Sequence, residues 1–144
     1  MTNLDRDMAA ALAKKALEGL DEAYAPYSHF HVSAALLSSD GRIFTGVNVE
    51  NASYPAGICA ERSAVSAAVS SGAREFCAIA ICGGENGKVT DYCPPCGICR
   101  QVLREFCRPE EFRILLVRTP EDWREYRLSE LLPESFGPEH LDCR

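Results

Sequence analysis

The sequence predicts an α/β fold in which a mixed β-sheet carries packed helices, and three observations predict it. Strand-like and helix-like patterns alternate along the chain, in the order helix, hairpin, helix, strand, helix, strand, helix. The unit over residues 76–117 runs strand, helix, strand, which makes a parallel pair through a right-handed crossover. The hairpin ahead of it must then add antiparallel strands, so the sheet is mixed.

Leu4, Met8, Ala11, Leu12, Lys15, Ala16 and Leu20 recur near helical spacing, which predicts an amphipathic helix over 4–23 with Asn3 or Asp5 as its cap. Ala25-Pro26-Tyr27-Ser28 ends it, because a proline ring disfavours helical backbone in the residue before it. Residues 31–38 and 42–48 read as strands joined by the turn residues Ser39-Asp40-Gly41. A loop over 50–57 follows, then a helix of small side chains over 59–71, closed by Gly72. The apolar runs 76–82 and 112–117 have the length of buried strands. Between them lie a polar, turn-rich loop over 83–95 and a helix over 96–106. A short helix over 128–132 precedes the tail Pro133-Glu134-Ser135-Phe136-Gly137-Pro138. With no internal repeat or linker, residues 1–144 are expected to form one domain.

Composition excludes several classes of partner. The net charge is −6 and the longest basic cluster is Lys14-Lys15, whereas a nucleic-acid surface gathers cations to replace phosphate counterions. No nucleic-acid polymer is therefore expected as a partner. The Ala-rich N-terminal stretch is too short to cross a membrane and no targeting signal precedes it, so a cytoplasmic protein with no membrane partner is expected. In that compartment the 8 cysteines are expected to be reduced, some buried and some bound to metal.

Spacing separates these cysteines. Gly57-Ile58-Cys59-Ala60-Glu61-Arg62 and Cys93-Pro94-Pro95-Cys96-Gly97-Ile98-Cys99-Arg100 each open a predicted helix. Two cysteines separated by two residues at a helix start can turn toward one ion, and the helix dipole there favours thiolate over thiol. A third thiolate from another helix start makes a three-ligand zinc site with its fourth position open, the catalytic arrangement. Glu61, two residues after Cys59, can take and deliver the proton of a water bound there. Arg62 can offset the charge of three thiolates. A structural zinc site would want a fourth protein ligand, for which Cys93, Cys107, His29 and His31 are candidates. Cys93 is discounted because two prolines hold it in extended chain before the helix. Cys77 and Cys82 read as core residues, and Cys107 and Cys143 have no evident chemistry.

These motifs resemble a known family. Cys59-Ala60-Glu61 followed by Pro95-Cys96-Gly97-Ile98-Cys99 is the signature of zinc-dependent nucleoside and nucleobase deaminases. With Pro26-Tyr27-Ser28-His29-Phe30, the stretch from Gly46 to Tyr54, Arg100-Gln101-Val102-Leu103 and the stretch from Leu131 to Pro138, the chain resembles the short, homotetrameric cytidine deaminases over nearly its whole length. The resemblance implies a three-layer sandwich with helices on both faces of the sheet and one zinc per subunit on Cys59, Cys96 and Cys99. It implies hydrolysis of free cytidine and deoxycytidine to uridine and deoxyuridine in pyrimidine salvage. Glu61 would move the protons, and Arg62 would stand behind the thiolates. Asn48 and Glu50 would bind the ribose 3′-hydroxyl, Phe30 would pack on the pyrimidine ring, and the Ala60 N–H would donate to the base carbonyl. Tyr54 would line the pocket near a subunit interface, and Phe136 would cover the base in a neighbouring subunit. The family reads proline and glycine where this chain has His31 and Ser33, which is expected to shift the Phe30 wall slightly; His29 and His31 read as strand-edge histidines. Rival readings are deamination of a related nucleoside such as blasticidin S, a zinc-binding interaction module, and editing of polymeric cytosines.

Overall fold

In the computed structural model, residues 4–142 are described. Helices α1 (Arg6–Glu18), α2 (Ala60–Ser70), α3 (Gly97–Arg104) and α4 (Leu128–Leu131) are interspersed with strands β1 (Phe30–Ser38), β2 (Ile43–Val47), β3 (Phe76–Glu85), β4 (Arg113–Thr119) and β5 (Asp122–Arg127). The strands form one sheet in the order β2-β1-β3-β4-β5. β1 runs antiparallel to both neighbours, β3 and β4 are parallel, and β5 returns antiparallel to β4. The sheet is mixed, and its parallel pair is the one that the strand–helix–strand pattern predicts.

Alternate residues of a strand face opposite sides, and both sides are apolar here. Ala34, Leu36, Ile79, Ile81, Ile114 and Leu116 pack with Ala60, Ala64, Val65 and Ala68 of α2 and Leu103 of α3. Ala35, Leu37, Ala78, Ala80, Leu115 and Val117 pack with Ala9, Leu12, Ala13 and Ala16 of α1. Helices therefore cover both faces, giving three layers. Small side chains let them come close. A Cβ on Gly46 of β2 would fall on the backbone of α2, so glycine there seats the helix whose first turn carries Glu61.

The element ends differ from expectation in instructive ways. Asp5, not Asn3, caps α1, its carboxylate accepting the Met8 N–H at 2.8 Å; Asn3 lies outside the described residues, as does Cys143. α1 stops at Glu18 with Gly19 as its C-cap, and a 3₁₀ turn over Leu20–Glu22 carries the apolar pattern onward, with Leu20 still buried. Glycine in a helix interior costs about 1 kcal/mol relative to alanine, which is why the pattern outlasts the helix. Gly72 follows the end of α2 with φ +92°, the left-handed conformation expected of its closing glycine. β3 extends past residue 82, because Gly83, Gly84 and Glu85 still pair with Val32, His31 and Phe30. The sequence reading places no element between 117 and 128, where β5 lies. Asp122, Arg124, Glu125 and Arg127 separate its two aromatic side chains at the half-exposed sheet edge, so no apolar run marks it. No helix among the described residues is long and apolar enough to cross a membrane.

Candidate metal and substrate site

Both helices of the α2–α3 face start on a cysteine. Cys59 and Cys96 take the N-cap positions in extended backbone, with φ −76°, ψ 155° and φ −67°, ψ 166°. Cys99 lies within the first turn of α3, and its N–H donates to Cys96 Sγ at 3.4 Å. The Cys59–Cys96 sulfurs are 3.8 Å apart and the Cys96–Cys99 sulfurs 3.3 Å apart, with all three within 4.8 Å of one another. Sulfurs at tetrahedral positions about 2.3 Å from a shared zinc stand about 3.8 Å from each other, so the cluster fits that ion. Among the described residues no fourth histidine, cysteine or carboxylate joins the group, which leaves one position of a tetrahedral ion without a protein ligand.

Electrostatics prepares the cluster for a cation. A hydrogen bond from Cys99 brings the Cys59 thiol down to about 5 against the effect of burial, and Arg62, whose Nη2 donates to Cys59 Sγ at 3.5 Å, assists. Cys99 is raised in turn, because the proton it keeps is the one that steadies the Cys59 thiolate. A cation entering among the three sulfurs replaces that proton. Glu61, in the first turn of α2, is 4% exposed, and burial pushes its carboxyl up to about 7. A carboxyl poised there can both accept and give a proton near neutrality.

A cleft of about 610 Å³ opens over this cluster. Asn48, Glu50, Tyr54, Cys59, Ala60, Glu61, Arg62 and Cys96 line it, bringing together most of the residues singled out by sequence. Ala60 begins α2, so its N–H has no helical carbonyl to reach. Extended segment 48–50 is held between two bridges, Tyr24 to Val49 and Val49 to Ile58, which ties it to the residue before Cys59. Asn48 and Glu50 are also engaged with the protein itself. Asn48 Oδ1 accepts the Val32 N–H at 2.9 Å and its Nδ2 donates to Phe30 O at 2.8 Å. Glu50 Oε1 accepts the N–H groups of Tyr27 and Ser28 at 2.9 and 3.0 Å, and the Ser28 hydroxyl donates to its other oxygen. These bonds, that of the Ser28 hydroxyl first, hold the Glu50 carboxyl below the usual range.

Two of the expected contacts lie off the lining. Phe30 starts β1 at 43% exposure and Phe136 is 57% exposed, neither among the residues that line the cleft. Tyr54 stands at the rim, 77% exposed, edge-on to Tyr27 at 6.0 Å between ring centroids. The lining adds Tyr27, Ser28 and Cys93, which the sequence reading did not assign to the site. Burial pushes the Cys93 thiol up to about 11, and Cys93 is not part of the metal cluster. Cys82 is core, with Cys77 packed against it. His31 and Ser33 alternate with the Val32 that lines the cleft, so they face the α1 side of the sheet, away from the cleft; Ser33 is fully buried and its hydroxyl has no partner among the described residues.

A family model for the cytidine and deoxycytidylate deaminase zinc-binding region matches residues 7–114, a span that includes all three cysteines and Glu61. The chain is a zinc-dependent deaminase, with zinc as its cofactor. It is 43% identical over 139 residues to the cytidine deaminase of Halalkalibacterium halodurans, covering 96% of this chain and 99% of that one. To the cytidine deaminase of Mycobacterium tuberculosis it is 42% identical over 141 residues, covering 98% and 96%. The crystal structure of cytidine deaminase from Burkholderia pseudomallei matches with a TM-score of 0.78 at 42% identity, over 88% of this chain and 97% of that one. The chain belongs to the cytidine deaminase family.

Proposed function

We propose that this protein hydrolyses free cytidine and deoxycytidine to uridine and deoxyuridine with release of ammonia, as a single catalytic domain over residues 1–144. One observation carries the reading: a three-sulfur cluster with no fourth protein ligand among the described residues sits beside a buried carboxyl of raised pKa in one cleft. A closed interaction module would need the fourth ligand and would have no use for Glu61. The names of the relatives favour cytidine over blasticidin S or a polymeric cytosine.

Cys59, Cys96 and Cys99 would hold the zinc. When bound, zinc supplies Lewis-acid activation of a water. Glu61 would pass one proton of that water to N3 of the cytosine ring and then carry the second to the departing amine, ending in the protonation state in which it began. Arg62 would offset the charge of the thiolates through its bond to Cys59. The Ala60 N–H would donate to the base carbonyl, and Asn48 with Glu50 would accept and orient the ribose 3′-hydroxyl. Tyr54 and Phe30 would wall the nucleoside, and Phe136 of one copy would cover the base in another within a cytoplasmic homotetramer serving pyrimidine salvage. The exposure of Tyr54, Phe30 and Phe136 supports a role against a second copy. Zinc analysis and the absorbance change on cytidine, taken on the same preparation, test the reading. A chain that binds zinc but leaves cytidine and deoxycytidine untouched would refute it.

A further inference from the structure

The helix that starts on Cys96 also grips the C-terminal tail. Arg104 ends α3 with its side chain only 8% exposed. Its Nε donates to Ser135 Oγ at 2.7 Å and its Nη1 to Glu139 Oε2 at 3.3 Å, while its Nη2 pairs with Glu139 Oε1. A guanidinium is costly to bury unless its donors are used, and here the fork is filled by the tail residues Ser135 and Glu139. Two more α3 side chains hold the chain on this side, one at the end of α4 and one in the tail segment itself. Arg100 Nη1 donates to Leu131 O at 2.7 Å, and Gln101 Nε2 donates to Phe136 O at 2.9 Å. Gly137 admits the clasp, since a Cβ there would fall on the Arg104 guanidinium. Amid these anchors the Phe136 ring stays 57% exposed, stacked on His140 at 5.0 Å, and absent from the lining of its own cleft. The segment is fixed while its largest apolar group is left facing outward.

We propose that Arg104 is a positioning residue that locks residues 135–139 onto α3, so that Phe136 is offered, already ordered, to the cleft of a second copy of this chain. This rests on the cross-subunit role given to Phe136 above. An aromatic ring held in its bound orientation gives up less conformational freedom on closing over a ligand. Because α3 begins at Cys96 and Cys99, the clasp also joins the metal end of one copy to the ring it lends the other.

The test compares Arg104→Met, Arg104→Lys and Glu139→Gln with Phe136→Ala, in the zinc-loaded protein. Hydrogen exchange of peptides covering 132–142, zinc content, and KM and kcat on cytidine are measured. Arg104→Met is expected to speed tail exchange about tenfold and leave zinc content unchanged. Its KM is expected to rise about five- to tenfold, with kcat held within about twofold. Arg104→Lys should restore only part of the effect, because an ammonium lacks the fork. The double variant Arg104→Met with Phe136→Ala should have the KM of Phe136→Ala alone, since Arg104 acts through that ring. Unchanged tail exchange in both Arg104→Met and Glu139→Gln, or KM effects that multiply in the double variant, would overturn the proposal. Should Arg104→Met fail to fold, Glu139→Gln carries the same comparison, because Glu139 is half exposed. A wild-type chain that does not turn over cytidine brings down the function proposed above and not the clasp, which the tail exchange then decides.

Discussion

At the metal end of the cleft, Cys59, Cys96 and Cys99 sit on or just inside two helix starts and bond chiefly to one another and to Arg62. At the end proposed for recognition, Asn48 and Glu50 project from an extended segment and are each bonded to backbone elsewhere in the chain. The difference concerns what holds a functional group in place. Helix starts are rigid because the core seats α2 and α3 on the sheet, so the thiols there are free to serve the ion. Segment 48–50 belongs to no helix or named strand and is held by the two bridges at Val49 and by bonds from the Asn48 and Glu50 side chains themselves. A substitution at the metal end should therefore remove chemistry and spare the fold, whereas one at the recognition end should disturb both.

The sharpest break of this contrast is at Glu61. Glu61→Gln keeps the size of the side chain but cannot carry a proton, so turnover of cytidine should fall by roughly 10²–10⁴ or more. Zinc content and melting temperature should stay near those of the parent; loss of zinc would mean that the carboxylate is a ligand. Next come the thiols. Serine at Cys59, Cys96 or Cys99 should bring bound zinc to background in a metal assay, because two thiolates hold the ion far less well than three. Cys93→Ser should keep its zinc, since Cys93 lines the cleft but stands outside the cluster.

Effects at the recognition end should be smaller and mixed. Asn48→Ala removes the bonds to Val32 N–H and Phe30 O, each contributing about 1 kcal/mol, so thermal unfolding should come earlier while KM rises. A rise in KM with no loss of stability would show that the wall does not depend on this side chain. The smallest effect concerns pH. The Ser28 hydroxyl, with the N–H groups of Ser28 and Tyr27, lowers the folded Glu50 carboxyl below its ordinary 4.5. Its contribution to stability is thus present above pH 4.5 and is lost as pH falls through the lower folded value. Melting curves of Glu50→Gln from about pH 3 to pH 6 should show a shallower acid limb than those of the parent.

The metal end was legible in the sequence because its information is local. Cys96 and Cys99 are one helical turn apart, and Cys59 and Glu61 share another, so spacing alone puts them at helix starts. The two-faced sheet was legible as well, from apolar runs long enough for buried strands. β5 escaped because a half-exposed edge strand whose two aromatic side chains are separated by charged ones carries no such run. The roles of Tyr27 and Ser28 escaped because their bonds to Glu50 join residues 23 and 22 apart through a turn without periodicity.

The fold class, the Cys96–Cys99 pair and the placing of Cys59 and Glu61 at one helix start were all readable along the chain, since each follows from residues within a turn or a strand of one another. The tertiary structure alone decided that Asn48 and Glu50 are bonded to β1 and its preceding turn, that Phe30 and Phe136 lie off the lining of their own cleft, and that Arg104 reaches Ser135 and Glu139 across 31 and 35 residues. Which distant side chains meet depends on how whole faces pack, a sum of many small contacts that no spacing along the chain encodes.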